Sequence, residues 1–137
     1  MDGNEISSIS AGTFINLPNL VNLSISFNGL KYIGEDAFIG LPSLRRLRLM
    51  KNQFSSLLDI TPSLTRLPAL KELVLSENAL GRINSDDFAL LTNSSIQVRI
   101  IIKTFMSSKA YIRLETKSCR ILPLTYWTKY DRTWFPT

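Results

Sequence analysis

One spacing recurs three times and constrains the fold more than anything else in the chain. The segments Leu20 to Leu30, Leu44 to Phe54 and Leu70 to Leu80 each read Leu-x-x-Leu-x-Leu-x-x-Asn-x-Leu, with Ile25 and Phe54 standing in for Leu. The remainder of each unit is periodic too. Ten residues after Asn4, Asn28 and Asn78 come Phe14, Phe38 and Phe88. After Asn52 the matching apolar residue is Leu64, twelve on, because two extra residues enter around Thr61-Pro62. A further Leu follows three residues later in each unit, at 17, 41, 67 and 91. The Asn-to-Asn steps are therefore 24, 24 and 26 residues, and Asn4-Glu5-Ile6 opens an incomplete unit at the start. A repeat of this length cannot bury its apolar face alone, so neighbouring units must stack to form one core.

Within each unit the x-Leu-x-Leu-x stretch predicts a short strand whose alternate side chains point inward. Leu23/Ile25, Leu47/Leu49 and Leu73/Leu75 then form columns through the core, while the x positions face out. Each buried Leu or Phe contributes about 1.5–3 kcal/mol. Asn28, Asn52 and Asn78 sit where the strand ends in a tight turn, and their side chains are expected to bond the backbone of their own coil and the next. This makes the Asn column structural, because a buried polar group must be paired.

The outward positions form ladders: Val21/Arg45/Lys71, Asn22/Arg46/Glu72, Ser24/Arg48/Val74, Ser26/Met50/Ser76 and Phe27/Lys51/Glu77. Arg45, Arg46, Arg48, Lys51 and Lys71 are the candidate ligand-binding residues, since a positive stripe attracts phosphates and other anions. Nucleic acid is thereby one candidate partner. Strand neighbours also place Arg46 near Glu72 and Lys51 near Glu77, as ordinary surface pairs. Acidic Glu35-Asp36 and Asp86-Asp87 precede the Phe of their units and read as solvated or capping carboxylates.

Composition narrows the chemistry. His is absent and Cys119 is the single cysteine. That removes His-based acid/base catalysis, Cys/His nucleophile pairs and multi-ligand zinc sites, so neither an enzyme nor a cofactor is expected. No apolar run reaches the length of a membrane span, and no signal-peptide pattern opens the chain, which by itself would leave it in the cytosol.

The full unit from Leu20 through Ser43, with Ser-Phe-Asn28 and Asp-Ala-Phe38, and again Ser-Glu-Asn78 with Asp-Asp-Phe88, resembles the typical leucine-rich repeats of Toll-like receptor ectodomains. Matrix proteoglycans and neuronal adhesion receptors use nearly the same unit. The resemblance implies a right-handed α/β leucine-rich repeat solenoid of about four repeats, with parallel inner strands and an irregular or short-helical outer face. It implies a pattern-recognition role in innate immune signalling: a protein or microbial ligand on the concave face, and receptor dimerisation in the full-length parent. Extracellular location, at the cell surface or in the endosome, would make Asn22 and Asn93, each in an Asn-x-Ser sequon, glycosylation candidates. The alternatives are an extracellular matrix or adhesion protein and a cytosolic adaptor. Lacking cysteine-bearing caps, the chain reads as a fragment of an ectodomain or a truncated product.

Charge divides the chain at the point where the pattern fades. Residues 1–98, the leucine-rich repeats, carry eight Lys and Arg against nine Asp and Glu; residues 99–137 carry eight against two. In this basic tail Arg99 falls where an inward Leu is expected and Thr104 where Asn belongs, so the columns are expected to stop. Ile100-Ile101-Ile102 and Ala110 to Leu114 could still form strands. Tyr126, Trp127, Tyr130 and Trp134 beside Lys129 and Arg132 could make an aromatic-basic nucleic-acid surface. The favoured expectation is a degenerate or non-native end, from an altered reading frame or an unspliced intron.

Overall fold

The computed structural model describes residues 1–81, 83, 85–89, 99–102, 110–115 and 118–123. It is built mostly of short strands with few helices. The main sheet contains β2 (Asn22–Ser24), β4 (Arg46–Arg48), β5 (Glu72–Val74), β6 (Arg99–Ile102), β7 (Ala110–Glu115) and β8 (Ser118–Pro123), in that order. The first four run parallel, and β7 and β8 then extend the sheet antiparallel. A second, two-stranded parallel sheet pairs β1 (Ser8–Ile9) with β3 (Tyr32–Ile33).

The register is set by the repeat. Leu23 stands opposite Leu47, Leu47 opposite Leu73, and Leu73 opposite Ile100. All four are buried, as are Ile25, Leu49, Leu75 and Ile102 in the adjacent column. This corrects one expectation. Ile100 and Ile102, rather than Arg99, occupy the inward positions, 27 residues after Leu73 and Leu75, so the columns continue across the 98/99 position. One additional residue in the connection moves Arg99 opposite Glu72 and turns the next two alternate residues into the core, since a one-residue shift reverses every side chain's face.

On the return path Phe14 and Phe38 stack with centroids 5.9 Å apart, and Leu64 is fully buried at the corresponding place in the third unit. Leu41 and Leu67 are buried, whereas Leu17, in the first coil, is 42% exposed. Close approach of these coils requires Gly40, at φ 97°. A Cβ there would lie 3.0 Å from both the Phe14 carbonyl oxygen and the Ile15 Cα.

The two extra residues of the third unit are absorbed by helical turns. A 3-10 turn, Leu57–Asp59, is held by a reciprocal cap: Ser56 Oγ accepts from Leu58 N at 3.2 Å, and Asp59 Oδ2 accepts from Ser56 N at 2.9 Å. It leads into α1, Thr61–Leu64, with Pro62 in the first turn, where a missing N–H is harmless. Thr61 is 1% exposed and its Oγ1 has no hydrogen-bond partner. Thr61→Val replaces that hydroxyl by a methyl of similar size and is expected to raise stability by about 1 kcal/mol in urea unfolding. A loss of stability would show that the hydroxyl is satisfied in solution.

A second 3-10 turn, Ser85–Phe88, carries Asp86 and Asp87 in its first turn. The pair Glu35-Asp36 is engaged between coils instead: Arg66 Nε lies 2.9 Å from Asp36 Oδ1, and Arg66 Nη2 lies 3.5 Å from Glu35 Oε1. Among the described residues no three metal-ligating side chains come together, and no helix is long and apolar enough to cross a membrane.

Candidate functional site

The outward face of β2, β4 and β5 gathers the residues singled out in sequence. Cα partners across it are Asn22, Arg46 and Glu72 in one row, and Ser24, Arg48 and Val74 in the next. At the strand entrance the Arg45 carbonyl accepts from both Lys71 N (2.9 Å) and Glu72 N (3.0 Å), which sets Arg45 beside Lys71. Arg45, Arg46, Arg48 and Lys71 are exposed. None of the four has a carboxylate within 4.0 Å among the described residues, although Arg46 faces Glu72 in register. Val21 is 42% exposed on the same face, and Met50 and Val74 are half-buried.

Lys51 is arranged differently. Its Nζ lies 3.4 Å from Glu77 Oε2 and 4.8 Å above the ring of Phe27, so its charge is partly balanced within the ladder. Phe27, Lys51 and Glu77 share a second property, positive φ angles of 56°, 51° and 59°. At about 1–2 kcal/mol each, three left-handed non-glycine residues are costly. They are held there because the next residue in each coil is the bonded Asn.

The preceding ladder is less accessible than its alternation suggests. Ser26 and Ser76 are buried, at 2% and 7% exposure, although Ser26 Oγ stays 3.3 Å from the Oγ of Ser24 on the outward face. In the first of these coils Asp2 covers the position, its Oδ1 accepting from Ser26 N.

Each Asn binds backward. Asn52 Nδ2 donates to Leu49 O of its own coil (3.1 Å) and to Ile25 O of the preceding coil (2.9 Å), while its Oδ1 accepts from Leu30 N (3.1 Å). Asn78 repeats this with Leu75 O, Leu49 O and Phe54 N. For Asn28, Oδ1 accepts from Ile6 N, and Met1 O takes the place of the preceding strand's carbonyl. The expected bond to the next coil is thus replaced by one to the preceding coil. Asn4 has no coil before it, and it is exposed, donating to Met1 O and Asp2 O at 3.2 Å.

At the β2 edge Asp2 substitutes for a neighbouring strand, a partner that sequence reading missed because nothing repeats there. Its Oδ1 accepts from Ser26 N (2.7 Å), its Oδ2 accepts from Ser24 Oγ (2.8 Å), and Gly3 N donates to Ser26 O. Desolvation works to raise the Asp2 carboxyl. The bonds from Ser24 and Ser26, with the N-terminal amine and Arg48, outweigh it and hold the group below its ordinary 3.8. A depressed carboxylate contributes stability that is present above that ordinary value and lost as pH falls through the folded one. Asp2→Asn is therefore expected to flatten the acid limb of the stability profile below about pH 4. An unchanged limb would remove Asp2 from the edge-capping role.

Asn22 of the first sequon is exposed on β2, next to Arg46. Asn93 lies outside the described residues, as do Leu91, Thr104 and the tail cluster of Tyr126, Trp127, Lys129, Tyr130, Arg132 and Trp134.

Comparison with known proteins agrees with this geometry. Residues 1–54 match the family model described as Leucine rich repeat. The chain is 35% identical over 79 residues to epiphycan of Gallus gallus, covering 58% of this chain and 23% of that protein. To epiphycan of Homo sapiens it is 34% identical over 79 residues, with the same coverage. To mimecan of Homo sapiens it is 29% identical over 98 residues, covering 69% of this chain and 33% of that protein. The chain thus spans between about a quarter and a third of the length of these relatives. They are not Toll-like receptors, and the finer resemblance drawn from the Phe-bearing unit finds no support in them.

Proposed function

We propose that this chain is a leucine-rich repeat protein and an extracellular binding module of the matrix type. In this reading its coils wind as a right-handed solenoid and present the outward face of β2, β4 and β5 to a protein ligand. One observation carries the reading. The Asn-bonded register brings Val21, Asn22, Arg45, Arg46, Arg48, Lys71 and Val74, from three coils, onto one contiguous surface made of backbone-paired strands. A rigid sheet loses little conformational entropy when a partner docks on it. The relatives support the matrix setting, since epiphycan and mimecan are small leucine-rich proteoglycans. They favour it over the Toll-like reading, and the receptor, immune and signalling roles attached to that reading have no support in them.

The test is a steric block that leaves charge unchanged. Immobilised full-length chain is expected to retain proteins from solubilised extracellular matrix. Val21→Trp with Asn22→Trp on the strand face should reduce retention at least tenfold, while Ile39→Trp, at an exposed return-path position, should not. Equal retention by all three proteins, or equal loss from both sides, would reject the strand face as the binding surface.

A further inference from the structure

The charge on the strand face has a local and a wider part. Over residues 1–98 basic and acidic side chains nearly balance, while the net charge of +5 comes from residues 99–137, where Arg99, Arg113 and Arg120 continue the Arg46/Glu72 row in register. At short range the balance differs. Arg45, Arg46, Arg48 and Lys71 stand together on the exposed surface, opposed there by Glu72 and, at the β2 edge, by Asp2. Lys51 is set apart, its charge shared with Glu77 and Phe27.

Apolar groups are interleaved with these cations. Val21 is exposed beside Arg45, and Met50 and Val74 flank Arg48 half-buried. Nucleic acid or a sulfated polysaccharide has little use for such groups. A protein does, because protein interfaces combine arginine with methionine and other apolar contacts. Spacing points the same way. Arg46 and Arg48 alternate on one strand, so they repeat at about 6.6 Å, the interval at which an extended peptide repeats its own same-face side chains.

We propose that this face receives an acidic, extended segment of a partner protein. The segment lies along β4, its carboxylates are met by Arg45, Arg46, Arg48 and Lys71, and its aliphatic side chains are set against Val21, Met50 and Val74. The guanidinium groups supply forked donors that match carboxylate geometry, which a lysine face would not. This assignment rests on the strand-face reading above and adds the chemistry of the partner to it.

The experiment uses the full chain and three fluorescent probes followed by anisotropy: a peptide of alternating Glu and Val, the same peptide with Gln for Glu, and a single-stranded oligonucleotide of equal charge. The Glu peptide is expected to bind at least tenfold tighter than either other probe. Its affinity should fall as salt is raised. Arg45→Glu with Arg48→Glu should weaken it at least tenfold, while Arg66→Glu, on the return path, leaves it unchanged. Circular dichroism and urea unfolding establish that each variant is folded. Equal affinity for the Glu and Gln peptides, or tighter binding of the oligonucleotide, overturns the inference. If the Val21→Trp, Asn22→Trp block abolishes matrix-protein retention while the charge reversals do not, the strand-face reading stands and the acidic-segment assignment fails. If the block is without effect, the strand-face reading itself is lost.

Discussion

Asn52→Ala is expected to lower the unfolding free energy by about 3–5 kcal/mol, because it strips partners from several buried backbone groups at once. Asn52 is 7% exposed; its amide nitrogen serves Leu49 O and Ile25 O, and its oxygen serves Leu30 N. A buried donor or acceptor left without a partner costs about 1–3 kcal/mol, and the truncated site offers no replacement. The loss should exceed that of any surface change, and it should unpin two coils together since one side chain bonds both. Asn52→Asp keeps the acceptor for Leu30 N but turns a second oxygen toward two carbonyls, so it should be at least as damaging at neutral pH. Asn4→Ala is the control. Asn4 occupies the equivalent place in the repeat but is exposed, and its change should stay within about 0.5 kcal/mol. Urea unfolding of the three variants decides the matter, and a loss below about 1 kcal/mol for Asn52→Ala would show that the column is not what joins the coils.

Phe38→Ala is expected to cost about 3–5 kcal/mol, through lost burial and the cavity left behind. Phe38 has no exposed surface, stacks on Phe14 and lies beside the Gly40 turn where two coils meet. The protein contains its own comparison, because the third unit uses Leu64 at this place and compensates with the longer return path through α1. Phe38→Leu should therefore cost less than Phe38→Ala but more than nothing, about 1–1.5 kcal/mol, as the second unit has no extra residues to fill the gap. Equal midpoints for Phe38→Ala and Phe38→Leu in urea would mean that the return-path column is loosely packed and that stability resides in the strand columns alone.

Much of the fold was legible in sequence because the repeat is chemically periodic. The Leu columns follow from alternation, and the Asn positions follow from the need to pair buried backbone at a turn. The strand-face residues Arg45, Arg46, Arg48 and Lys71 could be aligned for the same reason, since a fixed register carries each x position onto its neighbour. Lys51 could be placed in its ladder but not judged, because the partial balancing of its charge depends on how near Phe27 and Glu77 come in space.

What the sequence by itself determined is the period, the identity of the core columns and the residues that share the outward face. Tertiary structure decided the rest: that each Asn reaches back one coil instead of forward, that Ile100 and Ile102 rather than Arg99 continue the columns, that Ser26 and Ser76 are covered, and that Asp2 closes the β2 edge. The physical reason is common to all four. Periodicity reports which side chains are apolar, but backbone pairing between coils depends on the length and path of each return segment, and a single residue more or less reverses the face a side chain presents.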